Sequence, residues 1–82
     1  MASTHSTIEN AVEEYKQIIQ RMDALLKQAD QEKANAVPDR VTALNDRIED
    51  IGVIRQQLVA KVKQSGITRE VLGETRRLMS IF

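Results

Sequence analysis

The 82 residues contain no cysteine and no tryptophan, one proline, three glycines, one histidine, and two aromatic side chains, Tyr15 and Phe82. Without cysteine there can be no disulfide, no cysteine-ligated zinc and no thiol chemistry. His5 stands alone in a polar leader, so a metal would fall to carboxylates only, and neither metal nor cofactor is expected. Charge of one sign is missing as well: lysine plus arginine and aspartate plus glutamate number 12 each, so no net field draws the chain to nucleic acid or anionic lipid. No apolar run approaches the roughly 18 residues that would cross a bilayer. Met1 to Thr7 lacks the basic and apolar regions of a signal peptide. A cytoplasmic location is therefore expected, with export by a route that uses no cleaved signal left open.

What is present is a helical rhythm. Ile8, Val12, Tyr15, Ile19, Met22, Leu26, Ala29, Lys33 and Ala36 step by four and three in alternation, the heptad seam of a helix that packs lengthwise on others. Ala11, Ile18 and Leu25 lie beside the seam and widen it into the broader face of a bundle helix. Ser6-Thr7-Ile8-Glu9 has the form of a capping box, which places a flexible leader over 1–6 and a first helix over 7–35. Between these limits there is no glycine or proline. Pro38 then ends the pattern, because it lacks an amide proton and forces the preceding residue out of helical geometry. A tight reversal is expected there, with Pro38 as the first residue of a second helix over 38–64. The competing arrangement, one long helix kinked at Pro38, costs roughly 3 kcal/mol and leaves an apolar face wet.

The heptad resumes as Val41, Leu44, Ile48, Ile51, Arg55, Leu58 and Val62. Folding the chain back about residue 37 sets Ala29 near Leu44, Leu26 near Ile48, Met22 near Ile51, Tyr15 near Leu58 or Val59, and Val12 near Val62. Arg55 falls in the apolar level of Ile19, where it either runs its charge outward along its methylene stem or reaches an acid of a neighbouring chain. Ile51-Gly52-Val53-Ile54 is apolar nearly all round, more than a two-helix seam needs. Either a second backbone approaches closely at Gly52, or Val53 and Ile54 are buried under the C-terminal segment of the same chain.

Gly66 suits the end of the second helix and Thr68 the cap of a third over 68–81, with Ile67 placed to pack on Leu72. Val71, Leu72, Leu78, Met79, Ile81 and Phe82 form its apolar side. Closing on Met79-Ser80-Ile81-Phe82 leads to the expectation that this end docks into a groove, either its own chain's or a partner's. The expected partner surface is Gly52, Val53, Ile54, Leu78, Met79, Ile81 and Phe82, acting by apolar burial.

Signals of catalysis are absent: there is no glycine-rich phosphate loop, paired-histidine motif or nucleophile signature. Glu13-Glu14 and Glu49-Asp50 are neighbouring carboxylates, but adjacent helical residues point about 100° apart and cannot share one reacting atom. Basic side chains on the later helices are interleaved with acids, and no aromatic platform exists for stacking bases, so protein is favoured over nucleic acid as the partner. A membrane-lying final helix is disfavoured because its apolar face is short and acids are mixed into it.

Pro38, the helix from Val41 to Val62 and the Ile81-Phe82 ending resemble, in architecture, the needle-filament subunits of type III secretion. Those are small helical hairpins with a proline-containing turn and an apolar C-terminal helix. The chain departs from that pattern in having a single proline, no tryptophan and a Ser65-Gly66 break. Small two-helix co-chaperones of the same machines share the topology. The expectation is an all-α antiparallel helical hairpin, coiled-coil-like, with a short third helix in a single domain over 1–82. Its expected role is that of a non-enzymatic interaction subunit (adaptor, co-chaperone or small subunit of a larger complex) that completes its core by homo- or hetero-oligomerisation. The resemblance implies a self-polymerising filament subunit as the alternative, and a small nucleic-acid-binding dimer stands behind it.

Overall fold

Pro38 does start a second helix, and the chain reverses just ahead of it. The computed structural model describes the backbone of residues 4–82, and side chains from Asn10 onward. Over these residues it forms α1 (Thr4–Lys33), α2 (Pro38–Ser65) and α3 (Arg69–Met79), with no strand. The backbone is already helical at Ser6, so Ser6 is not the cap of α1, and nothing in Thr4-His5-Ser6 breaks a helix. The leader expected over 1–6 is thereby shortened, and for residues 1–3 it lies outside the described residues. So do the side chains of His5, Ile8 and the proposed box.

At its other end α1 stops at Lys33, ahead of the expected 35. The amides of Asn35 and Ala36 bond to the carbonyls of Glu32 and Lys33, three residues back, so the last turn tightens and closes the helix. Val37 then takes an extended conformation, as a residue before proline must, and its carbonyl receives the Val41 amide at 3.0 Å.

α1 and α2 lie antiparallel along their heptad seams. Leu44, Ile51 and Leu58 of α2, seven residues apart, are buried, while Val41, Ile48, Arg55 and Val62 on the other line of the seam are half-buried. On α1 the buried residues are Ile18, Met22 and Ala29, with Ile19 and Leu26 only half-covered. The deepest line of α1 is thus turned from the seam toward Ile18, because α3 packs on that side. Ile18, Met22, Ile51, Leu58, Val71, Leu72 and Met79 make one core drawn from all three helices.

Gly66 ends α2 at φ 79° and ψ −176°, with its amide bonded to Val62 O at 2.8 Å. The positive φ is as expected, but ψ is extended rather than left-handed helical, which turns the chain sharply into α3. Thr68 caps α3, its Oγ1 accepting the Val71 amide at 3.2 Å. Ile67 packs against the core cluster that holds Leu72. α3 ends at Met79 rather than 81, and Ser80 to Phe82 close in a turn with the Phe82 amide bonded to Met79 O at 3.0 Å. Its inner face is Val71, Leu72, Thr75 and Met79. Thr75 was not among the apolar positions expected there; it is accommodated because its hydroxyl donates to Val71 O at 2.9 Å, leaving only its methyl to the core. No described helix is long and apolar enough to cross a membrane.

Candidate interaction surface

Among the described residues, four ion pairs show how the helices are placed. Arg40 meets Glu32 at 3.3 Å beside the reversal and Arg55 meets Asp23 at 3.1 Å halfway along the hairpin. Lys61 pairs with Glu74, and Arg76 meets Glu14 at 3.3 Å. The Arg47 guanidinium sits 5.9 Å from the Phe82 ring centre. α3 therefore runs back along α2 and touches α1, filling one of the two grooves of the hairpin near its open end. The opposite groove carries no helix among the described residues.

Arg55 takes a course not weighed from the sequence: its partner is Asp23 of its own chain, one turn beyond Ile19. Both members are more than a third exposed, so the pair contributes little to stability and mainly marks the register. On α3, the hydrogen bond from the Lys61 ammonium, and then its charge, hold the Glu74 carboxyl below its ordinary value. Glu14, which has Glu13 for a neighbour, is engaged by Arg76 in a structural contact between α1 and α3.

The seven residues expected to form one partner surface are not brought together. With about 100° between successive residues, Gly52, Val53 and Ile54 must point in three directions. Ile54 lies on the α3 side, half-buried against the core. Val53 is 46% exposed on the outer side of α2. Gly52 is on the edge facing the open groove, and a Cβ built on it would meet nothing within 4 Å. No other backbone among the described residues approaches it. Met79 is withdrawn altogether: only 5% exposed, it belongs to the core of its own chain. Leu78 and Ile81, the latter 79% exposed, remain outside at the end of α3, with Phe82 half-buried beside Arg47.

Sequence reasoning passed over the open groove itself. Tyr15, Ile19, Arg55 and Val59 line it, with Lys16 and Gln20 on its rim, around a cleft of ≈ 290 Å³. Every apolar residue there belongs to the heptad seam or borders it, so periodicity alone assigns it to the core between α1 and α2. Only the position of α3 reveals that the seam is covered on one side. Among the described residues no group of three or more His, Asp or Glu side chains is gathered as metal ligands would be. The chain matches no family model, no curated protein and no solved structure.

Proposed function

We propose that this chain is a non-enzymatic helical interaction subunit, an adaptor, co-chaperone or small component of a larger complex, that completes its apolar core by association. The observation that carries this reading is a shortfall of burial. A monomeric globular protein of 9.3 kDa presents about 5,000 Å² of accessible surface, whereas this chain presents 5984 Å². Its radius of gyration is 15.3 Å against about 12 Å for a compact domain of this length, and it measures 53 × 23 × 18 Å. Half-covered Ile19, Leu26, Ile48 and Val59 along the hairpin account for the kind of surface left over. Eight of its charged side chains tie one helix to another in four ion pairs.

Thermal unfolding tests the reading, followed over about a hundredfold range of chain concentration and again with the proteins that co-elute with the chain from its native source. A melting temperature that rises in either series supports an interaction subunit. One that stays fixed in both overturns it.

A further inference from the structure

The charges of the whole chain balance at 12 against 12, but not where α3 meets α1. The two helices are separated there by a furrow of two adjoining clefts, of ≈ 330 and ≈ 280 Å³, which share Glu14 and Arg76. Arg21 lines the first cleft and Arg69 the second, and among the described residues no lysine and no other acid lines either. Three arginines thus stand over one carboxylate. α1 and α3 point the same way, since both run against α2. Arg69 comes two turns before Arg76, and Arg21 two turns after Glu14. Each therefore stands about 10 Å along its helix from the Glu14–Arg76 pair, one to either side of it. Both are exposed and take no part in the four ion pairs among the described residues.

Gly73 lies between Arg69 and Arg76 on the same side of α3, one turn from each. Glycine weakens the interior of so short a helix, and the packing of this chain does not call for it, because a Cβ built there would meet nothing within 4 Å. What the missing side chain does is keep the cleft open between the two guanidiniums. Ile18 and Met79, both buried, give the cleft beside Arg21 an apolar floor.

We infer that this furrow receives an acidic segment of a partner protein, with carboxylates at Arg69 and Arg21. The inference rests on the interaction-subunit reading and gives the chemistry of its partner. Three arginines less Glu14 leave two positive charges over the two clefts, which two carboxylates would balance. All three cations are arginines, whose planar fork accepts a carboxylate through two parallel hydrogen bonds. Glu14 in the middle of the furrow opposes an unbroken run of negative charge such as a nucleic-acid backbone. Neither aromatic ring is at hand to stack bases, since Tyr15 lines the opposite groove and Phe82 lies beside Arg47.

The test is an NMR titration of the full chain with an acetylated peptide of alternating glutamate and serine, long enough to span the furrow. The Nε–Hε signals of Arg21, Arg69 and Arg76 should move, while those of Arg40, Arg47 and Arg55, which lie outside it, stay in place. The same peptide with glutamine for glutamate should leave all six unmoved. Arg21→Gln and Arg69→Gln should each weaken binding by about threefold, since both sites are exposed. Gly73→Glu puts a carboxylate into the gap and removes a helix-weakening glycine, so it should abolish binding and melt at or above the parent temperature. Equal movement of all six arginines, a Gly73→Glu variant that binds like the parent, or tighter binding of a single-stranded thymidine oligonucleotide would each overturn the inference. If the peptide leaves the furrow untouched while a co-eluting protein still raises the melting temperature, the acidic segment is wrong and the interaction-subunit reading stands.

Discussion

Gly52 and Gly66 each interrupt a run of good helix formers, and adding a methyl group to them should have opposite effects. Gly66 holds φ 79° with ψ −176°, a region almost closed to other residues. Gly66→Ala should cost about 1–3 kcal/mol through backbone strain, although the space around it is open. Gly52 is helical with nothing near its Cβ position, so Gly52→Ala should add up to about 1 kcal/mol by removing the flexibility of glycine from the unfolded chain. Denaturant midpoints at one fixed chain concentration check both signs. Thr75 gives a third case: its hydroxyl is satisfied within its own helix turn, so Thr75→Val leaves no buried donor stranded and should change stability by less than about 1 kcal/mol. A larger loss would mean that the hydroxyl serves something beyond Val71 O.

At the scale of elements, α3 is too short to persist alone and depends on its cap, its buried face and its ties to α1 and α2. Thr68→Ala should cost about 1 kcal/mol, with faster amide exchange confined to α3. The Lys61–Glu74 pair adds a pH dependence whose sign follows from the lowered carboxyl value. A carboxyl depressed in the folded state stabilises it above the unfolded value of 4.5, and that contribution disappears as pH falls through the folded value. Lys61→Met should therefore melt slightly below the parent at neutral pH, and the two curves should merge in acid below the carboxyl range. A gap that persists in acid would assign the effect to packing of the lysine stem rather than to charge. The hairpin, by contrast, was legible in the sequence as two helices and a reversal, although α1 begins before the expected box and stops two residues short of the expected 35. Thr68 and Pro38 announced two helix starts through their own chemistry, whereas the ends of α1 and α3 depended on local tightening that no single residue signals.

For the molecule as a whole, stability is concentrated where the three helices meet. Met22 and Ile51 are fully buried there. A chain of this length has about 4–12 kcal/mol in total, so Met22→Ala, at about 2–5 kcal/mol, should remove a large share of it. Ile51→Asp should abolish cooperative melting, since it buries an unpaired charge with no route to water. Retention of a sharp melting transition in Ile51→Asp would place the core elsewhere. The same concentration of apolar contacts on one side explains why the opposite groove stays half-covered. Three helices of such unequal length cannot enclose both grooves of a long hairpin.

Periodicity and turn chemistry were enough to establish two long helices, a reversal ahead of Pro38, a third helix after Thr68, and the faces on which Met22, Leu44, Ile51 and Leu58 lie, because these depend on neighbours a few residues away. Tertiary structure decided what a helical repeat leaves degenerate: which groove α3 fills, why Ile18 is deeper than Ile19, why Met79 belongs to the core while Ile81 does not, and that Arg55 meets Asp23. A heptad seam specifies a face about two residues wide, and the choice between its two flanks is made only when a distant segment lands on one of them. The unfilled flank is a product of that choice.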